Sequence, residues 1–261
     1  MARSTRQAAQ GPTSTNAAIA FAPPPEAADA ARCARLGLVV ATADATTWTL
    51  RRTETGALEL RAPAAAGALR LSLDARSGPL ARRLAQARRD QPLPRALGMH
   101  RRAEPPHVFD ATAGLGRDAL LLARLGCRIT ACERVPVLAV LLDDLVLRAG
   151  CADRVQVLGG DAAATLAALP AAAVDAVYLD PMFPQHGRAQ VKQDMQVCRL
   201  LAGPPDDPTA LVRAAFAAAR ERVVVKRHPH EAPLCGEPSF RVPGERVRFD
   251  VYLSPGGSPD T

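Results

Sequence analysis

Two acidic residues and two glycines are spaced within residues 107–134 as a nucleoside site would require. Asp110 stands near the end of a short apolar run, and Gly114 and Gly116 follow it. Glu133 ends the next apolar run. Glycine lets the backbone turn tightly and approach a ligand because it has no Cβ, and a carboxylate after the second strand of such a unit can accept hydrogen bonds from ribose hydroxyls. The spacing therefore predicts a strand, turn, helix and strand that bind a nucleoside.

The glycine pair alone is a weak signal, because an ordinary strand-to-helix turn can contain it. The turn lacks the third glycine of the dinucleotide fingerprint. With Asp110 before the turn and Glu133 after the second strand, the pattern resembles the S-adenosylmethionine (SAM) site of class I methyltransferases. A NAD enzyme more often keeps the longer glycine pattern.

A second candidate site follows the predicted strand 174–179, where the chain reads Asp-Pro-Met-Phe-Pro from Asp180. A strand-ending Asp-Pro turn is common in any fold. The sequence nevertheless resembles the Asp/Asn-Pro-Pro-Tyr/Phe loop of methyltransferases that act on amino or amide nitrogen, with Met182 in place of the second proline. In that interpretation Asp180, Pro181 and Phe183 are the catalytic residues.

The chemistry explains those residue types. The lone pair of an aryl amine is delocalised into its ring, so the amine is a poor nucleophile. Acceptors on Asp180 and the Pro181 carbonyl can hold both amine hydrogens and aim the nitrogen at a sulfonium methyl. Phe183 can stack on the base, and the base must be unpaired or flipped to reach such a pocket.

Basic charge is concentrated in one segment of the chain. The formal net charge is +7, and residues 76–102 contain eight arginines, including Arg82 and Arg83, against the single acid Asp90. This favours a nucleic-acid partner, although a solvated face of an arginine-rich protein remains the alternative.

Other features exclude several classes of protein. No apolar stretch reaches the ~18–20 residues of a membrane span, and the N-terminus lacks the continuous apolar core of a secretory signal. The six cysteines form no Cys-x-x-Cys pair, so we interpret them as reduced, mostly buried thiols and expect no metal site. We expect a cytoplasmic protein.

The chain divides into four predicted regions, which are 1–30 (disordered), 31–104 (a small β-rich N-terminal subdomain with a basic helix at 78–90), 105–255 (a SAM-dependent methyltransferase domain) and 256–261 (a tail). Four prolines within 91–106 predict a linker. Strands and helices alternate from residue 107 onward, which predicts an α/β, Rossmann-like class I methyltransferase sheet. The predicted strands are 38–40, 46–50, 58–60, 69–73, 107–112, 127–132, 154–158, 174–179 and 222–226, with a final antiparallel pair within 240–253.

Longer segments resemble the RsmJ (YhiQ) family, the bacterial 16S ribosomal RNA guanine(1516)-N2 methyltransferases. They are 110–118, 133–136, 141–144, 178–184, 223–227 and 248–252. The resemblance implies SAM as the methyl donor, S-adenosylhomocysteine as the product, no metal, and 16S rRNA or the small ribosomal subunit as partner of what we expect to be a monomer.

The resemblance also assigns residues by position. It places Arg117 and Asp118 at the methionine end of SAM, Glu133 and Arg134 at the ribose and adenine, Asp161 and Ala162 beside the adenine, and Asp180 between donor and base. Lys192, Lys226 and Arg227 are expected to contact RNA phosphates.

One departure from the family lies upstream, where residues 80–89 keep the arginines but lack the usual triple glycine. Two alternatives therefore stay open. One is amino methylation of a different substrate, such as a DNA adenine or a protein glutamine, and the other is a non-catalytic RNA-binding homologue.

Overall fold

The computed structural model of the chain describes residues 17–181, 192–204 and 207–254. Its first unit is a four-stranded sheet of β1 (Ile19–Phe21), β2 (Trp48–Arg52), β3 (Leu58–Arg61) and β4 (Arg70–Ser72), in that spatial order. β1 runs parallel to β2, and the other pairs are antiparallel. The helix α1 (Ala27–Arg35) joins β1 to the rest. Trp48 is buried, as predicted for a core residue.

The prediction of disorder over residues 1–30 is wrong for residues 17–30, which contain β1 and the start of α1. Ile19 and Phe21 are buried. A three-residue strand leaves no periodic pattern in the sequence, and it is stabilised by pairing with β2, which is distant along the chain. Residues 1–16 lie outside the described part of the chain. The predicted strand 38–40 is reduced to one bridge between Val40 and Ile19.

Two short helices follow the first sheet. The predicted basic helix 78–90 is α2 (Gly78–Ala85), and α3 (Pro92–Ala96) lies where we predicted a linker. Proline is tolerated in the first turn of a helix, where its missing N–H has no partner to lose. Leu93 and Leu97 are buried, so the linker prediction is wrong and this segment belongs to the core.

Seven further strands form the central sheet, namely β5 (His107–Asp110), β6 (Arg128–Glu133), β7 (Val155–Gly159), β8 (Val174–Leu179), β9 (Ala219–Arg227), β10 (Phe240–Pro243) and β11 (Arg248–Leu253). Their spatial order is β10, β11, β9, β8, β5, β6, β7. β5 to β9 are parallel, whereas β11 is antiparallel to both β9 and β10. The predicted α/β architecture with a mostly parallel sheet is confirmed.

Helices cover both faces of this sheet, namely α4 (Arg117–Arg124), α5 (Pro136–Arg148), α6 (Ala162–Ala167), α7 (Gln193–Ala202) and α8 (Thr209–Ala218). α4, α5 and α7 pack on the face that includes Val108 and Tyr178. α6 and α8 pack on the opposite face, which includes Phe109 and Val177. Neighbouring strand residues point to opposite faces, which explains why these strands are apolar throughout.

An ionic cluster around two buried acids joins the N-terminal sheet to α5. Asp144 is 1% exposed, and it accepts hydrogen bonds from Arg52 at 3.0 Å, Arg148 at 2.8 Å and the backbone N–H of Leu58 at 3.1 Å. Arg52 also pairs with the buried Asp29 of α1. Because a buried carboxylate is stable only when it is paired, these contacts tie the two sheets together.

The described residues contain no membrane-spanning helix, no disulfide and no metal-binding cluster. Among the described residues, no helix is long and apolar enough to cross a bilayer. The six cysteines are free thiols, four of them buried. The described residues contain no cluster of three His, Cys, Asp or Glu side chains that could hold a metal ion.

Candidate active site

A cavity of about 530 Å³ opens at the carboxyl ends of the parallel strands, where an open α/β sheet is expected to bind its ligand. Its volume lies within the usual range of small-molecule sites. The predicted site residues that line it are Arg83, Asp110, Gly114, Arg117, Asp118, Glu133, Arg134, Asp161, Ala162, Asp180, Pro181 and Lys226. Both predicted sites therefore belong to one cavity. Phe183 lies outside the described residues.

One end of the cavity, which we term the glycine-turn end, consists of Asp110, Gly114 and Glu133. Glu133 accepts hydrogen bonds from the backbone N–H groups of Gly114 and Val135, each at 2.8 Å. Gly114 has a φ of 51°, a left-handed conformation that glycine adopts at little cost. The carboxylate is thus held by backbone groups on both sides.

Gly116 precedes α4 as its N-cap residue, with a φ of 67°, a left-handed conformation that favours glycine. A Cβ at this position would also lie 2.1 Å from Cδ1 of Leu142 on α5. Gly116 is not among the residues that line the cavity, so its close approach to a ligand stays a prediction.

The carboxyl groups of the glycine-turn end are costly to ionise. Burial raises the pKa of Glu133, although backbone N–H bonds and the charge of Arg134 oppose the shift. Burial also raises the pKa of Asp110 well above its ordinary range, and the neighbouring Asp118 adds to the shift. A cationic ligand would favour the ionised form of both groups.

The other end of the cavity holds what we term the strand-end network, which consists of Arg83, Asp118, Tyr178, Asp180 and Lys226. Lys226 Nζ lies 2.7 Å from Asp180 Oδ2 and 3.2 Å from Asp118 Oδ2. The Tyr178 hydroxyl donates to Asp118 Oδ2 at 2.8 Å, and Arg83 of α2 forms an ion pair with Asp118.

Strand register explains why these groups meet. β8 and β9 are parallel, and Leu179 pairs with Val225. The next residues, Asp180 and Lys226, therefore lie side by side at the sheet edge. We did not predict this pair, because we assigned Lys226 to RNA phosphates. Its signal in the sequence is that Asp180 and Lys226 stand at matching positions at the ends of two predicted strands.

The network sets the charge of its members. Burial raises the pKa of Asp118, but Lys226, Arg83 and the Tyr178 hydroxyl outweigh burial, so that this pKa is lowered. Burial raises the pKa of Asp180 in spite of the opposing effect of Lys226. Burial alone would lower the pKa of Lys226, but the two carboxylates raise it. Lys226 therefore carries its positive charge between two acids.

Two arginines from different turns hold α7 across the cavity. Arg117 forms an ion pair with Asp194 in the first turn of α7. Arg134 donates to the carbonyl oxygen of Ala202 at 2.7 Å, at the last residue of the helix. A cation at a helix C-terminus donates hydrogen bonds to the free carbonyl groups and is attracted to the negative end of the helix dipole. Both guanidinium groups thus contact α7, so any contact with a cofactor would be additional to this role.

Asp161 and Ala162 lie at the start of α6. The Asp161 carboxylate accepts a hydrogen bond from the backbone N–H of Ala164 at 2.9 Å and so caps the helix. Both residues line the same cavity as Glu133, and their position beside an adenine stays a prediction.

Residues 31–254 match a family described as "Putative SAM-dependent methyltransferase". A protein of Thioalkalivibrio sulfidiphilus named ribosomal RNA small subunit methyltransferase J is 44% identical over 207 residues, covering 76% of this chain and 80% of the relative. The chain belongs to the RsmJ family.

Other RsmJ relatives align over shorter spans. Proteins of the same name from Laribacter hongkongensis and Pseudomonas aeruginosa are 47% and 45% identical, covering 58% and 56% of this chain. The aligned part spans 57% and 60% of those relatives. A crystal structure of a SAM-dependent methyltransferase from Neisseria gonorrhoeae matches with a TM-score of 0.67 and 29% identity, covering 92% of this chain and 97% of that one.

The residues predicted to contact RNA are separated by the structure. Arg82 and Lys192 are exposed outside the cavity, whereas Arg83 and Lys226 belong to the strand-end network. Arg227 is 8% exposed and donates to the carbonyl oxygen of Ala232. Alternation along β9 turns its side chain away from Lys226, and its contact with RNA phosphates stays a prediction.

Proposed function

We propose that this RsmJ-family chain transfers a methyl group from SAM to the exocyclic N2 of a guanosine in 16S ribosomal RNA, by resemblance guanine 1516. The observation that carries the proposal is the single cavity lined by both Glu133, at the end of β6, and Asp180, just after β8. A transfer reaction requires its donor and its acceptor sites within one such space.

The glycine-turn end is the proposed SAM site. SAM supplies an electrophilic methyl group on a sulfonium centre. The Glu133 carboxylate has lone pairs left after its backbone hydrogen bonds and can accept from ribose hydroxyls, and Asp161 and Ala162 would lie beside the adenine. Asp110 would face the positively charged part of the ligand, whose charge favours the ionised carboxyl.

The strand-end network is the proposed site of methyl transfer. The Asp180 carboxylate and the Pro181 carbonyl accept the two amine hydrogens, which turns the nitrogen lone pair toward the methyl group. As the N–C bond forms and the S–C bond breaks, positive charge develops on the nitrogen, and the negative Asp180 stabilises it. The amine then loses one proton, for which Asp180 is the positioned acceptor.

The proposed partner is 16S rRNA or the small ribosomal subunit. The names of the relatives support this partner. The position of α2 supports it as well, because both Arg82 and Arg83 are exposed and Arg83 also lines the cavity. A bound guanosine must leave its stack to reach the cavity. We further propose a cytoplasmic monomer that releases S-adenosylhomocysteine.

The test is mass mapping of 16S rRNA from a strain that lacks this protein. We expect one methyl group to be missing from one guanosine, to return when the wild-type gene is supplied, and to stay missing with Asp180→Ala. Small subunits from that strain should accept tritiated methyl groups from SAM in the presence of the purified protein. Fully methylated rRNA in the deletion strain would contradict the proposal, and a methyl group missing from DNA or protein instead would favour the other amino substrates.

A further inference from the structure

We infer that Lys226 is a positioning residue, which fixes the Asp180 carboxylate in its ionised, cavity-facing form and is itself held in place by Asp118. This inference rests on the proposed function, because it assigns Asp180 to the acceptor amine. Lys226 follows the apolar run of β9, and from the sequence we had expected it to contact RNA phosphates.

The contacts of the lysine support this role. Its ammonium group has three hydrogens, and two carboxylates lie within 2.7 Å and 3.2 Å of it. Its side chain is 25% exposed, so it is less screened by water than a surface ion pair would be. Within the part of the chain that the structure describes, Lys226 is the one side chain that donates a hydrogen bond to the Asp180 carboxylate.

Asp118 provides the anchor on the other side of Lys226. It accepts from the hydroxyl of the buried Tyr178 at 2.8 Å and pairs with Arg83. With three donors on one carboxylate, Asp118 has little freedom to move. Lys226 therefore links a fixed acid to Asp180, whose own backbone N–H donates to Thr112 Oγ1 at 2.6 Å.

The charged groups around Asp180 indicate that Lys226 prevents protonation of its carboxylate. The groups that face Asp180 are Lys226 from β9, Asp118 from α4, Arg83 from α2, Asp110 from β5 and Tyr178 from β8. Without Lys226, burial and two neighbouring acids would favour the protonated carboxyl. A protonated Asp180 has less acceptor capacity and no negative charge to offer the amine.

The experiment compares Lys226→Met and Lys226→Arg with the wild type, and uses Arg154→Met, an exposed change outside the cavity, as the control. The readouts are the SAM Kd by calorimetry, KM for the small subunit, single-turnover methylation rates between pH 5 and 9 and the melting temperature. We expect Lys226→Met to keep its SAM Kd and to lose about 10- to 100-fold in rate at neutral pH.

The pH profile separates positioning from a structural effect. Loss of the lysine raises the pKa of Asp180, so the acid limb of the rate should move to higher pH and activity should recover in part on raising the pH. Lys226→Arg should restore the wild-type limb. An unmoved limb, or a rate that falls together with SAM affinity, would overturn the inference. Failure of the wild type to methylate the subunit would instead overturn the proposed function.

Discussion

Glu133 and Asp180 both stand at strand ends of one sheet, yet different groups hold them. At the glycine-turn end, backbone N–H groups of Gly114 and Val135 hold Glu133. In the strand-end network, the side chain of Lys226 holds Asp180. Backbone donors are fixed by the fold, whereas a side-chain cation depends on its own partners. Mutations at the glycine-turn end should therefore change SAM affinity. Mutations in the strand-end network should change the methylation rate and its dependence on pH.

The largest expected effect comes from Asp180→Ala. The variant should lose ~10²–10³-fold in kcat, because the amine loses the acceptor that orients it and the charge that stabilises the transition state. Its SAM Kd, measured by calorimetry, should stay at the wild-type value. Weaker SAM binding in this variant would mean that the two ends do not act separately.

Glu133→Ala tests the other side of the comparison. Loss of a charged acceptor should weaken SAM binding by roughly 10- to 100-fold, and Glu133→Gln should recover part of it. Asp153→Ala is a suitable control, because Asp153 is 68% exposed and lies outside the cavity. Equal SAM affinities for Glu133→Ala and this control would refute the assignment of the glycine-turn end to SAM.

The pH dependence of SAM binding sharpens the comparison further. Asp110 and Glu133 have raised pKa values in the free protein, and a cation favours their ionised forms. Binding should then release protons, so that SAM affinity rises as the pH increases through these pKa values, by at most about tenfold per pH unit for each proton released. Asp110→Asn should flatten this dependence; calorimetry in buffers of different ionisation enthalpy measures the protons directly.

Arg134→Met should have a smaller effect on the same end. Removing a cation from the C-terminus of α7 costs about 0.3–1 kcal/mol, which corresponds to a roughly two- to fivefold weaker SAM Kd if α7 closes the cavity. Arg154→Met, an exposed change elsewhere on the surface, is the control. An unchanged Kd would show that α7 does not contribute to the SAM site.

The smallest expected effect is on RNA binding, and it should differ between the neighbouring residues Arg82 and Arg83. Arg82→Gln should weaken RNA binding modestly and reduce the salt dependence of log Kd by about one phosphate contact. Arg83→Gln should also lower kcat, because Arg83 pairs with Asp118. Anisotropy titrations at several salt concentrations, run beside rate measurements, would distinguish them. Identical behaviour of the two variants would place both on a general basic surface.

The sequence carried enough information to locate Glu133 and Asp180, because both positions follow from one rule about the ends of parallel strands. It did not reveal the Lys226–Asp180 pair, which depends on the register of β8 against β9. The same limit explains why β1 and α3 were not predicted, because their stability comes from contacts with residues distant along the chain. Local pattern reports which residues are apolar, but it does not report which distant partner covers them.

The pairing of Arg52 with the buried Asp144 limits how the two parts of such a protein can be exchanged between relatives. Asp144 and one of its donors, Arg148, belong to α5, whereas its other two donors, Arg52 and the backbone N–H of Leu58, come from β2 and β3. A catalytic half transplanted without its amino-terminal sheet would keep the Arg148 pair but lose two of the three donors to a carboxylate that is 1% exposed. An exchanged amino-terminal sheet would therefore have to supply a cation and an N–H group at the same two places.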